Sequence, residues 1–429
     1  MDFLIGPMKK HLNGHKELTA HNEVVSYLSA PKLYIPLMHG PAKIEVLVNE
    51  GDYVKVGTLL AHRNDHFYVP MFASCSGVVK GVEKRMHSSL RMVEHLVIEN
   101  DQKYTVEDNL SVLDYQKASE EEIAAFIKEK GIVGQGGAGF PTYIKYQNVK
   151  GCERLIINAV ECEPYITADY AGLELYMDDF KDGVQALFKA SKAPLCQIAI
   201  KSTKPEMIEK LKEAFKDVKG VEISAVPDAY PMGWERTLIY TLTKKRYDRL
   251  PIEVGCIVSN ETTAIALGKA MRTGVPVVEK MITVSGDGIA KPSNVICSVG
   301  TVAKEILEFL GGTTAEEIQL IAGGPMMGSA MTSDQIVIGS ANNALTVLKY
   351  QEVDPIGCLR CGTCVDHCPS GLQPVNINNA EKAKNLDRIV DLKADQCIEC
   401  GMCTFVCPSK IAVTEGVRRA KRVLALKKK

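Results

Sequence analysis

The sequence predicts a multidomain α/β plus α+β protein that ends in a helical, cysteine-rich unit. Three observations predict it. Two runs near the C-terminus share one spacing, Cys358-x2-Cys361-x2-Cys364-x3-Cys368-Pro369 and Cys397-x2-Cys400-x2-Cys403-x3-Cys407-Pro408. Residues 118–275 alternate helical and strand periodicities, as layered α/β domains do. Residues 36–100 and 276–345 instead read as short strands punctuated by turns.

Taken in order, residues 1–35 form an N-terminal segment. Its start, MDFLIGPMKKHLNG, has an early Asp and too short an apolar stretch for a signal peptide. In residues 36–115, IEVLVNEGDYVKVGTLLAH places apolar residues around the turn Glu50-Gly51-Asp52, and VPMFASCSGVVKGVE repeats the plan around Ser76-Gly77. This resembles the lipoyl/biotinyl carrier hammerhead, whose carrier lysine sits at an exposed hairpin tip. Here the corresponding stretch is Ala73-Ser74-Cys75-Ser76-Gly77. Without a lysine the module is read as structural, with Cys75 at the tip.

Residues 116–275 begin with helix-like ASEEEIAAFIKEKG and a glycine-rich loop. Strand-like LIINAV, CQIAI, VEISAV and GCIVSN follow, the last ending at Asn260. Residues 276–345 combine strand-like MITVSGDG, a helix VAKEILEFLGG stopped by Gly311-Gly312, and strand-like IQLIAGGPMMG. This pattern reads as a small β-grasp (SLBB-like) unit. Residues 346–429 hold both cysteine runs. Between them NNAEKAKNLDRIVDLKAD carries Ala383, Leu386, Ile389 and Val390 at helical spacing. The basic tail KRVLALKKK reads as a solvated helix end or as a docking strip for an acidic partner.

The cysteine spacing is that of bacterial ferredoxins, which hold [4Fe–4S] clusters on soft thiolates. In two-cluster ferredoxins the Cys before Pro ligates the other cluster. One set is therefore Cys358, Cys361, Cys364 and Cys407, and the other is Cys397, Cys400, Cys403 and Cys368. Zinc needs only four ligands, usually as two separated pairs, so two complete runs exceed its demand. Disulfides do not fit a chain without a secretory signal. Asp366 and His367 are read as surface residues near a cluster. The other six of the fourteen cysteines are scattered, and most read as small buried hydrophobes, with Cys162 singled out by its place between Glu161 and Glu163.

Net charge is -1, with 46% hydrophobic and 24% charged residues, the balance of an ordinary globular protein. Nothing in that charge favours nucleic acid. No apolar run approaches the roughly 18 residues of a membrane span. A cytoplasmic location is expected, with membrane association arising through partner subunits at the inner face.

The central loop is Gly134-Gln135-Gly136-Gly137-Ala138-Gly139-Phe140-Pro141-Thr142, followed by Lys145 and by LIINAVECEPY. Glycines let backbone N–H groups approach phosphate oxygens. Together GQGGAGFPT and NAVECEPY resemble the flavin-binding region of the flavin- and NADH-binding subunit of respiratory complex I and, more closely, of the RnfC family. YPMGWER, GGPMMG and the two cysteine runs match that family in order. The chain is identified as a member of the RnfC-like family.

The resemblance implies FMN, NADH, two [4Fe–4S] clusters and a redox partner protein or reductase complex. It places Gly134, Gly136, Gly137 and Gly139 around the flavin phosphate with Lys145 nearby. Asn158, Glu161 and Glu163 line the reactive side, the two glutamates as the catalytic candidates. Glu235, Asn260 and Thr262 or Thr263 complete the pocket. Carboxylates just past a strand end suit such a sheet, where ligands collect at the carboxyl ends. Phe140 is read as a packing residue.

The chain departs from the family at Trp234, its only tryptophan, at Val160 where the complex I relatives have an acid, and at Ile5-Gly6-Pro7-Met8-Lys9-Lys10-His11. These departures suggest a specialised paralogue. The leading expectation is an NADH-dependent electron-transfer oxidoreductase feeding a partner such as proline reductase. Alternatives are the RnfC component of an Rnf membrane complex coupling ferredoxin and NAD, a flavin-free iron–sulfur adapter, and a cobalamin reductase.

Overall fold

The computed structural model describes residue 6, residues 11–137 and residues 139–427. Ala138 and most of the variant N-terminal heptapeptide lie outside the described residues.

Four short apolar runs pair into an all-parallel sheet. Its order is Val221–Val226, Leu195–Lys201, Arg154–Ala159, Cys256–Asn260. These are the four strands that the sequence pattern marks. They read as continuous hydrophobics because helices cover both faces. Leu155 and Ile157 pack on one side with Phe180, Leu187, Leu211 and Leu267. Ile156 and Val258 pack on the other with Leu238 and Ile239.

The chain runs outward from Arg154–Ala159 and then returns to place Cys256–Asn260 on the opposite side. The crevice beyond the carboxyl ends of these two strands is the topological switch point, where such sheets bind ligands. The helix Glu120–Glu129 leads into this domain from a capping box. Ser119 Oγ accepts from Glu122 N at 3.1 Å, and Glu122 accepts from Ser119 N at 2.7 Å.

Residues 32–100 fold into two antiparallel sheets around Leu33, Ile35, Leu60, Val79, Leu96 and Ile98. Cys75 belongs to this core and is fully buried. The expectation of an exposed tip is thus corrected. Burial raises its thiol to about 12, so it packs as a small apolar group.

A six-stranded mixed sheet follows, and the helix Ala303–Phe309 contributes Ala303, Ile306 and Leu307 to its core. Its edge strand is Val25–Tyr27, which pairs in parallel with Val295–Cys297. Three residues carry too little periodicity for the sequence to mark that strand.

The segment between the cysteine runs forms two helices, Pro374–Lys382 and Leu386–Asp391, rather than one. The break falls at Lys384, which adopts a left-handed φ of 51°. The helix Val413–Lys427 buries Val413, Val417, Ala420 and Leu424 against them. Most of the basic tail is therefore the outer face of a packed helix. Among the described residues no helix is long and apolar enough to cross a membrane.

The helices Met177–Ser191 and Glu261–Thr273 cross with backbones in contact. A Cβ on Gly183 would lie 1.8 Å from the Ala264 carbonyl oxygen, and one on Gly268 would lie 1.9 Å from that of Asp179. Gly183→Ala and Gly268→Ala are each expected to cost about 1–3 kcal/mol, the usual cost of overpacking. Denaturant titration measures this, and wild-type midpoints would contradict the close crossing.

Candidate functional site

The two cysteine runs adopt one backbone twice. Arg360 and Glu399 have left-handed φ of 56° and 57°, and Gly362 and Gly401 follow at 79° and 77°. These turns bend each loop back on itself. The N–H of Arg360 points at Cys358 Sγ at 3.4 Å, and that of Glu399 at Cys397 Sγ at 3.3 Å. Leu372 N likewise donates to Cys368 Sγ at 3.3 Å. Such bonds favour thiolates and are among the terms that set cluster potential.

Cys368, Cys397, Cys400 and Cys403 line one cavity. This is the cross-run set expected from the spacing. The other set is assembled by the start of the first run. Ile356 N donates to Ser409 O at 3.2 Å, and Ser409 Oγ donates to Gly357 O at 3.0 Å, which brings Cys358 beside the segment that carries Cys407. Among the described residues no three His, Cys, Asp or Glu side chains converge tightly enough for a single ion. Four thiols ringing a cavity fit a cubane with an iron at each of four corners. His367 is engaged with its own turn, its Nδ1 lying 2.9 Å from Thr363 O.

The glycine-rich loop opens the second part of the site. Gly134 N donates to Phe140 O at 2.8 Å, and Gln135 N donates to Thr263 Oγ1 at 3.0 Å. Gly136 sits against Asn260; a Cβ there would lie 2.3 Å from its Oδ1. Gly137, at φ 98°, has open space beside it. Gly137 and Gly139 line a cleft of about 420 Å³ shared with His39, Arg63 and Phe67. Phe140 is 39% exposed in this cleft and meets Phe67 edge to face at 5.8 Å, rather than packing in the core.

Two ammonium groups approach from below. Lys280 Nζ donates to Gln135 Oε1 at 2.7 Å, and burial lowers it to about 8. Lys145 Nζ donates to Val258 O at 2.7 Å, and burial pushes it down while Glu235 opposes. Glu235 in turn accepts from Tyr247 Oη at 2.7 Å. Open glycine backbone in a loop whose Gln135 is held by the buried Lys280 fits a phosphate-bearing flavin. Asn158 holds the adjacent strand end, with Nδ2 donating to Gly233 O at 2.8 Å and Oδ1 accepting from Val160 N at 3.1 Å.

The carboxylates form the third part. Glu161 accepts from Asp169 N at 3.0 Å and pairs with Lys16 Nζ at 3.1 Å. Lys16 also donates to Glu163 O at 3.1 Å and to Ile166 O. Glu261 is 1% exposed, and among the described residues its Oε2 has no partner. Thr262 Oγ1 stands between Glu261 Oε1 at 3.2 Å and Asp169 Oδ1 at 3.3 Å. Glu161, Asp169, Glu261 and Lys16 line a cavity of about 160 Å³ at the strand ends, and residues 14–17 contribute to its wall.

Glu163 points elsewhere. Its Oε1 accepts from Met326 N at 2.8 Å and Met327 N at 2.9 Å, and its Oε2 lies 3.1 Å from Tyr230 Oη. Tyr230 Oη also lies 2.9 Å from Cys400 O. The two glutamates therefore split. Glu161 faces the cavity, and Glu163 ties the sheet to the second cysteine run. Sequence reasoning missed Lys16, Asp169, Tyr230 and Glu261. Two of them carried a signal, Tyr230 as the first residue of YPMGWER and Glu261 as the next residue after Asn260 at a strand end.

This fold and site define an electron-transfer oxidoreductase that joins an FMN-binding domain to a pair of iron–sulfur centres. Family comparison agrees: residues 10–103 match the RnfC barrel sandwich hybrid domain, residues 127–269 the Nuo51 FMN-binding domain, and residues 353–411 the 4Fe-4S dicluster domain. The chain is 34% identical over 373 residues to the C component of the proton-translocating ferredoxin:NAD(+) oxidoreductase complex of Clostridium ljungdahlii, covering 85% of this chain and 81% of that protein. It is 33% identical over 389 residues to the C component of the ion-translocating oxidoreductase complex of Rhodobacter capsulatus, covering 88% and 75%. It is 30% identical over 371 residues to the C component of the Na(+)-translocating ferredoxin:NAD(+) oxidoreductase complex of Acetobacterium woodii, covering 84% of each. The chain belongs to the RnfC family. A crystal structure of NAD+-reducing [NiFe]-hydrogenase shares the fold, with a TM-score of 0.51 at 18% identity over 73% of this chain and 62% of that one.

Burial, with Asp169 adding to it, raises the Glu261 carboxyl well above its ordinary 4.5. The native state thus keeps a proton that the unfolded chain gives up. That stabilisation is complete below the ordinary value and is lost as pH climbs through the raised one. As pH rises above the ordinary 4.5, Glu261→Gln should gain stability relative to wild type. Parallel Tm profiles would contradict the shift.

Proposed function

We propose that this chain takes a hydride from NADH at its flavin site and passes single electrons through two [4Fe–4S] clusters to a partner protein. The observation that carries the reading is the Glu163–Tyr230–Cys400 connection, which joins the carboxyl end of the flavin-domain sheet to the second cysteine run. A bound flavin would supply the conversion of a two-electron hydride into single electrons. The chain's residues bind and orient. Gly134, Gly136, Gly137 and Gly139 wrap the phosphate, in a loop closed by the N–H bonds of Gly134 to Phe140 O and of Gly139 to Gly134 O, with Lys145 balancing its charge. Asn158, Asn260, Glu235 and Thr262 shape the pocket wall. Glu161, screened by Lys16, holds the charge balance of the nicotinamide side, and Glu163 acts by positioning the cluster loop.

Relatives named as parts of ferredoxin:NAD(+) oxidoreductase complexes support a partner complex for this chain too. Attachment at the inner face of a membrane would then come through neighbouring subunits. A soluble reductase such as proline reductase is the second acceptor class, favoured by Trp234, half-buried at the start of the helix Glu235–Thr243 beside the site. The flavin-free adapter is favoured by the engagement of Lys145 and Asn158 with backbone carbonyls. The compact unit over residues 276–345 is read as β-grasp.

Anaerobically purified protein should contain FMN, iron and sulfide, and NADH should bleach both chromophores. Gly136→Ala, which drives a Cβ into Asn260, should lose flavin and keep its iron. Iron without flavin in the wild type, even after FMN is supplied, would leave an adapter.

A further inference from the structure

The barrel sandwich hybrid domain is applied directly to the glycine-rich loop of its neighbour. Phe67 meets Phe140 edge to face at 5.8 Å, and Tyr68 N donates to Tyr143 Oη at 3.1 Å. A chain of polar groups reaches the same loop. Asp65 accepts from Arg63 Nε at 2.6 Å and from Arg63 Nη2 at 2.8 Å. Arg63, only 6% exposed, turns Nη1 toward His39, 3.1 Å from its Nδ1 and 3.2 Å from its carbonyl oxygen. A guanidinium can only donate, so Nδ1 accepts and the ring proton sits on Nε2. His39 Nε2 then donates to Gly139 O at 2.8 Å. Burial lowers the imidazole and Arg63 adds to the effect, so the ring is neutral near pH 7.

Gly139 needs such a partner. It has no Cβ and sits at φ 60°, so its own torsions do not fix the direction of its carbonyl. In a trans peptide the C=O and the next N–H point opposite ways. With the Gly139 oxygen bonded to His39, the Phe140 N–H faces the other side, and it has no acceptor among the described residues. We propose that His39 is a positioning residue for the flavin phosphate. It holds the Gly139 oxygen out of the anion's way and leaves the Phe140 N–H free to donate. Arg63 acts through His39 by fixing its tautomer, and Asp65 acts by fixing Arg63. In the opposite tautomer a ring lone pair would face the Gly139 oxygen and push it back toward the loop. Gly139 N also donates to Gly134 O at 3.2 Å, so the clamp reaches the start of the loop. The inference rests on the proposed function and gives the barrel domain a part in cofactor binding.

The test is a binding titration. Full-length protein with its clusters intact is freed of flavin and titrated with FMN or riboflavin, whose fluorescence reports binding. His39→Ala should weaken FMN about 3- to 10-fold, the loss of one neutral hydrogen bond, with iron and sulfide content unchanged. Riboflavin, which has no phosphate, should bind both proteins equally. His39→Gln, which keeps a side-chain N–H donor, should restore most of the FMN affinity. Arg63→Met should weaken FMN in the wild-type background and change nothing further in His39→Ala. Wild-type FMN affinity in His39→Ala, equal losses in the alanine and glutamine variants, or an equal loss for riboflavin overturns the positioning role. Additive losses in the double variant overturn the action of Arg63 through His39. If the wild type binds no FMN, the flavin reading is wrong, and amide exchange at Gly139 decides alone. That exchange should quicken in His39→Ala and not in His39→Gln, and wild-type protection in His39→Ala overturns the clamp.

Discussion

One buried carboxylate joins the parts of this molecule. Glu163 leaves the end of the central parallel strand and finds its partners on the Gly323–Gly328 loop and on Tyr230 of its own domain. Removing such a charge from water is costly unless hydrogen bonds replace the lost hydration. Two backbone N–H groups, of Met326 and Met327, and the hydroxyl of Tyr230 replace it. The glycines of Gly323-Gly324-Pro325-Met326-Met327-Gly328 follow from that demand. A Cβ on Gly324 would lie 2.1 Å from Glu163 Cγ, so only glycine lets this loop close over the carboxylate. Tyr230 then reaches the carbonyl of Cys400 and fixes the second cysteine loop to the same point.

A second buried network shapes the neighbouring cavity. Glu161, Asp169 and Glu261 gather at the switch point, and Lys16 is the cation that pairs directly with Glu161. The Lys16 ammonium donates to one carboxylate and two carbonyls, so most of its hydration is replaced by fixed oxygens. A buried pair of this kind is weak evidence of net stability, but removing one partner leaves an uncompensated charge. The N-terminal segment is thereby built into the site.

How much of this was legible in the sequence depended on periodicity and spacing. The four parallel strands carried apolar runs ended by turn residues, and all four formed. The cysteine spacing gave the cross-run pairing, and the cavity ringed by Cys368, Cys397, Cys400 and Cys403 has that composition. What was hidden depends on long-range contacts. Lys16 sits in a segment without pattern and meets Glu161 across 145 residues. Val25–Tyr27 becomes a strand only because Val295–Cys297 offers an open edge. Cys75 follows a turn that looks exposed in one dimension, yet it faces the core between the two sheets. The glutamates looked equivalent in Glu161-Cys162-Glu163, and only the fold separates a cavity-facing carboxylate from a joint.

The most direct test of that joint is amide hydrogen exchange in Glu163→Ala and Glu163→Gln, read at Met326 and Met327. Loss of bonds to a charged acceptor is worth about 1.5–3 kcal/mol each, so local opening should become roughly 10- to 100-fold more frequent in the alanine variant. The glutamine variant, which keeps an acceptor oxygen, should show a smaller change. Protection at wild-type levels in Glu163→Ala would contradict the claim that this carboxylate holds the flavin domain, the loop and the second cluster together.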